Sequence, residues 1–174
     1  MELKDIKQQF FTYRNGILAD RLRSAGDCHS VIFGLNLPQI ADIAKMAGID
    51  KTLAEQLWDN TTTRESRLIA PMIYPREQFC IAMAREWIES VENTEVADIL
   101  CHRLLRYCDF AWQLCREYAS AELDLQRYTA LRLAANLDAL GRISNRNTIQ
   151  NLAEQELQRQ CQLTASLATS LLSE

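Results

Sequence analysis

Residues 53–70 read LAEQLWDNTTTRESRLIA, and this stretch decides the fold. Leu53, Ala54, Leu57 and Trp58 share one face of a helix that Asp50 can cap. Thr62 and Glu65 fit a capping box ahead of a second helix carrying Leu68 and Ile69, which Pro71 should end or kink. The pattern returns downstream. Ala54-x-x-Leu57-Trp58 followed by Arg67-x-x-Ala70 reappears as Ala111-x-x-Leu114-Cys115 followed by Arg127-x-x-Ala130. Trp58, Trp87 and Cys115 lie 29 and 28 residues apart. A lone helical hairpin cannot bury its apolar face, so this period points to stacked hairpins; an up-down bundle of equal helices would give a similar rhythm.

The rest of the chain continues the rhythm. Leu3, Ile6, Phe10, Tyr13 and Ile17 form one stripe, predicting a first long helix that runs to about Ala25. Residues 26–37 read as a loop, and Asn36 with Pro38 as the start of a short helix through Met46. Pro75 should open a helix with Cys80, Met83, Ala84, Trp87 and Val91 inward. Asn93 should cap another, with Ala97, Leu100, Cys101 and Leu104 inward. Helices over 110–118 and 122–140 follow, and a Gln-rich amphipathic helix is expected from about Thr148 to Leu172.

Composition agrees. The 174 residues include 24 Leu and 20 Ala but only 3 Val, with 5 Gly and 3 Pro, so strands and their turns lack material. The fold class expected is all-α. The formal charge of −4 argues against a domain coated in phosphate contacts. That total is uneven: residues 1–26 and 99–146 each carry +2, whereas 27–98 carry −6 and 147–174 carry −2. A nucleic-acid surface is thereby confined to the first helix and the Arg103–Arg146 region. No apolar stretch suits a secretion signal or a membrane span. Six cysteines without a C-x-x-C pair then suggest reduced, mostly buried thiols in a cytoplasmic protein.

Metal and nucleophile chemistry find little support. Cys28-His29 and Cys101-His102 are adjacent pairs, and neighbours on a helix point about 100° apart, so no metal site is expected. Five scattered glycines build no phosphate loop, and no cofactor is expected. Arginine is more telling, with 15 Arg to 4 Lys. Arg127 falls on an inward stripe with Leu123, Ala130 and Ala134, and Arg67 holds the matching place earlier. Such an arginine needs either an internal ion pair or an anion-facing groove. Asp98 lies opposite Cys101 and Leu104, as a solvated acid near a helix start or a carboxylate on a functional face.

Several segments together resemble the bacterial DNA alkylation repair glycosylases of the AlkD type. Phe33-Gly34-Leu35-Asn36-Leu37-Pro38 with Ile43-Ala44-Lys45 is similar to that family's F-G-x-x-x-P opening. Residues 53–58 and 64–70 resemble its L-A-x-x-L-W and H-E-x-R-x-x-A segments. Thr94 to Cys101 resembles the W-D-x-x-D segment, and Gln126-Arg127-Tyr128 the R-R helix start. The likeness covers about Val31 to Leu137. It implies a HEAT-like or armadillo-type repeat fold in one domain over residues 1–174, with a family-like core at about 31–137 and a divergent C-terminal helix at about 147–173. It further implies a duplex DNA partner, excision of purines alkylated at N3 or N7, and Asp98 as the catalytic carboxylate. Arg127, Arg67, Arg64, Thr94 and Arg103 become the candidate DNA contacts. The family's tryptophan four residues before the Asp is Thr94 here, its histidine before E-x-R is Arg64, and the chain after Leu137 holds no Trp. These departures predict weakened or lost excision and a shortened or replaced last repeat. The alternative is a non-catalytic HEAT-like scaffold that binds a protein partner.

Overall fold

The computed structural model describes residues 1–143 and 145–173. Its helices are α1 (Leu3–Tyr13), α2 (Gly16–Ser24), α3 (Leu37–Ala47), α4 (Lys51–Asp59), α5 (Arg64–Ile73), α6 (Ile81–Glu89), α7 (Thr94–Arg103), α8 (Ala111–Tyr118), α9 (Asp124–Ala139), α10 (Arg146–Gln158) and α11 (Gln162–Ser173). Short 3₁₀ turns cover Arg76–Gln78 and Leu105–Tyr107. Among the described residues there is no strand, only an isolated bridge between Val31 and Thr63. The chain divides into two compact units, Met1–Phe79 and Cys80–Glu174.

In the first unit α5 is the internal helix. It packs on α3 and α4, and every residue from Arg64 to Pro71 is buried. A buried helix start needs acceptors for its charges, and Glu65 supplies the central one. Its carboxylate accepts the backbone N–H groups of Phe33 (3.2 Å), Gly34 (3.0 Å) and Leu35 (3.3 Å) and pairs with Arg64 at 3.1 Å. Glu65 therefore pins the loop before α3 instead of closing the box expected with Thr62; Thr63 occupies the N-cap. Gly34 allows this approach. Its φ is +79°, and a Cβ there would lie 2.1 Å from the Asn15 carbonyl oxygen.

The helix starts assigned to Asn36, Asp50 and Asn93 are present, each side chain accepting the N–H three residues on. Other boundaries moved. The first helix breaks at Arg14-Asn15, where Asn15 donates its N–H to the Phe33 carbonyl at 2.8 Å and caps α2 through Leu18 N–H. The break turns Ile17 outward, to 71% exposure. Pro71 sits inside α5, which runs two residues further, to Ile73. Pro75 precedes a 3₁₀ turn, so Cys80 caps α6 and is exposed rather than inward. The last helix is two, α10 and α11, separated by Gln160 at φ 56°.

In the second unit the 16-residue α9 is the hub, packing against α6, α7, α8, α10 and α11. Cys101 and Cys115 lie fully buried on α7 and α8, and burial pushes both thiols well above the ordinary range.

Candidate nucleic-acid interface

Asp98 stands on α7 between buried Ala97 and Ile99, with its own side chain 40% exposed. It faces α9, where Tyr128 and Arg132 are one turn apart. The Tyr128 hydroxyl donates to Asp98 Oδ1 at 2.9 Å, and Arg132 Nε lies 2.7 Å from the same oxygen. Arg132 Nη2 donates to the Tyr128 hydroxyl at 2.9 Å, closing a triangle. Burial and then the Asp98 charge push the Tyr128 phenol up, while the Arg132 hydrogen bond pulls against them. Burial also opposes the Arg132 charge, but Tyr128 and Asp98 outweigh it and hold the guanidinium above its usual range. Asp98 is thus a carboxylate whose charge is offset by a contacting cation, with both contacts on Oδ1. Thr94, half-buried in the first turn of the same helix, offers a short hydroxyl side chain one turn before it.

Arg103 is exposed in the last turn of α7 and stands in cationic company. Arg142, beyond the end of α9, donates to the Arg106 carbonyl and lies 3.5 Å from Asp109. Arg106 donates to the hydroxyl of exposed Tyr107 at 2.7 Å. His102 is held below its ordinary value by partial burial, then by the charges of Arg106 and Arg103. This edge of the second unit therefore presents several cations to solvent, the arrangement that phosphate binding requires.

The other three arginines expected as DNA contacts, Arg67, Arg64 and Arg127, lie in the interior. Arg67 is buried, donates to the Trp58 carbonyl at 2.6 Å and stacks 3.6 Å from the Trp58 ring centroid. Arg64 donates to the Leu35 carbonyl at 3.0 Å and pairs with Glu65 and, at 3.7 Å, Asp27. Arg127 is 4% exposed. Its Nε lies 3.0 Å from both Glu156 oxygens, Nη1 donates to the Ala121 and Glu122 carbonyls, and Nη2 lies 2.5 Å from Asp124. Glu156 also accepts from Thr164 at 2.8 Å, so one ion pair ties α9, α10 and α11 together. A buried guanidinium with its donors committed to internal acceptors ties the surrounding segments together. Of the two readings open for Arg127, the internal ion pair is the one observed.

Reading the sequence alone missed Tyr128, Arg132, Arg106 and Arg142. The signal was available in the repeat period, because Asp98 and Tyr128 lie 30 residues apart. Cys28 and His29 do not sit on a helix as neighbours pointing apart. They lie in a loop, and their ligand atoms and an Asp27 oxygen are mutually within 4.8 Å. Asp27 Oδ1 is engaged by His29 Nδ1 at 2.7 Å and Oδ2 faces Arg64, so internal partners account for the grouping.

In the second unit short helices pack around the long α9, and the Asp98 carboxylate stands on α7 near several arginines. The sequence model of the family described as DNA alkylation repair enzyme matches residues 6–165, and the chain belongs to that family. No curated protein matches it. One solved structure is similar, with a TM-score of 0.82 at 16% identity, covering 99% of this chain and 74% of that one. It comes from work on "a new family of proteins related to the HEAT-like repeat DNA glycosylases with affinity for branched DNA structures". At that identity the likeness establishes the HEAT-like helical fold. No described helix is long and apolar enough to cross a membrane.

Proposed function

We propose that this protein binds DNA, and branched DNA in particular, without efficient excision of alkylated bases. The observation that carries this reading is the pairing of Asp98 with Arg132 at 2.7 Å. A carboxylate accelerates glycosidic cleavage by opposing the positive charge that grows on the sugar, and it does so best when no cation already offsets it. Thr94 supplies no ring to pack against that sugar. DNA is held through the cations of the second unit, exposed Arg103 foremost, together with exposed Arg142 and half-buried Arg106 and Arg132. The preference for branched DNA follows the description of the structurally similar protein.

The test pairs two assays on the full chain. Release of 7-methylguanine from methylated duplex is expected to match the spontaneous rate for both wild type and Asp98→Asn. Gel-shift binding to a four-way junction is expected to exceed binding to linear duplex, to weaken with salt and to fall on Arg103→Ala. Base release abolished by Asp98→Asn would restore the glycosylase reading. Absence of any salt-sensitive binding would remove DNA as the partner.

A further inference from the structure

The second unit contains an open cleft of about 440 Å³ at the start of α9, whose nine lining residues include Glu89, Glu122, Leu123, Asp124 and Leu163. Three of the nine lining residues are acidic and none is basic. Leu123 at its rim is 61% exposed and Leu163 42%, an apolar surface that water covers at a cost. Glu89 accepts from Tyr118 and Asp124 pairs with Arg127, but the Glu122 carboxylate has no partner among the described residues.

The first unit presents the complementary surface. On α2, Ile17 is 71% exposed because the chain breaks at Asn15. Arg21 lies four residues after Ile17 on the same face of α2, and Arg14 sits at the chain break just before the helix start. Both guanidiniums are exposed and unpaired among the described residues. An unpartnered isoleucine beside two unpartnered arginines matches, in polarity and in sign, an unpartnered leucine pair beside an unpartnered glutamate.

We propose that the cleft receives α2 of a second copy of this chain, Ile17 seated between Leu123 and Leu163, with Arg21 or Arg14 meeting Glu122. The contact is head-to-tail: one copy gives the helix and the other the cleft. A nine-residue helix covers less than the roughly 800 Å² per partner of a standard stable interface, so the association is weak and concentration-dependent. This inference stands apart from the DNA reading, since neither surface includes Asp98 or the Arg103 edge.

Sedimentation velocity of the full chain, up to about 500 μM, tests it. Wild type is expected to sediment faster as concentration rises. Ile17→Glu and Leu123→Glu should each stay monomeric, with unchanged circular dichroism because both side chains lie outside the core. An equimolar mixture of these two variants should regain a dimer and nothing larger, because each supplies the surface the other lacks. Arg14→Glu with Arg21→Glu should abolish association, and adding Glu122→Lys should restore part of it. A wild type that stays monomeric over the whole range overturns the proposal. So does a mixture that stays monomeric while wild type associates, or either single variant associating like wild type.

Discussion

Two arginines on α9, five residues apart, each meet a carboxylate, and they do opposite work. Arg127 is sealed in, and its donors reach Glu156 on α10 and Asp124 with the adjacent Ala121 and Glu122 carbonyls. Arg132 is 34% exposed and meets Asp98 and Tyr128 at a surface. An ion pair is worth what its surroundings make of it. Removing one partner of a buried pair strands a charge out of water, whereas water readily replaces a partner at a half-exposed site. The first pair is therefore structural and the second is available for function.

The comparison can be broken most directly at its buried side. Arg127→Ala or Glu156→Ala is expected to cost about 3–5 kcal/mol in denaturant unfolding. A loss below about 1 kcal/mol would erase the distinction between the two pairs. Glu65→Gln extends the same logic to the first unit. It keeps the shape but turns an amide N–H₂ towards backbone donors, and about 2–3 kcal/mol is expected. At the exposed pair, Asp98→Asn and Arg132→Gln should each change stability by less than about 1 kcal/mol. Their effects on DNA should diverge: Asp98→Asn frees a cation and tightens junction binding, while Arg132→Gln weakens it and lowers the salt slope by about one. Equal effects of the two would mean that the pair does not face the DNA.

The smallest effect is at His102. Its depressed value means that the unfolded chain takes up the proton at higher pH than the folded one. Its contribution is therefore present above the ordinary histidine range and declines as pH falls through it. By NMR titration, Arg106→Gln should move His102 upward, and bound junction DNA should move it further in the same direction. A His102 unmoved by either would separate this edge from the phosphate surface.

How far the sequence reached can be read from these same residues. Helix starts at Asn36, Asp50 and Asn93 were legible because capping is a local interaction between residues three apart. The period was legible too, and its consequence proves literal. Asp98 to Tyr128, Arg127 to Glu156, Glu89 to Tyr118 and Cys101 to Thr129 are joined across 28 to 30 residues, one hairpin to the next. What stayed hidden was the partner that Arg127, already placed on an inward stripe, would meet. Arg127 and Arg132 differ by a partner on α10, and no local pattern announces Glu156. The break at Asn15 was equally invisible, because its cause is the Phe33 carbonyl in a distant loop. A regular apolar stripe spoke for one helix, and tertiary hydrogen bonding overrode it.

The cysteines of α7 and α8 have a further consequence. Electrophiles that methylate purines also methylate thiolates, and the rate follows the fraction of thiol that is ionised and reachable. Cys101 and Cys115 are neither, so the core of the second unit is chemically inert under such an attack. Exposed Cys28 and Cys80 would absorb it first, at a loop and at a helix start. The protein can thus accumulate adducts on its surface while the packing of its second unit stays intact.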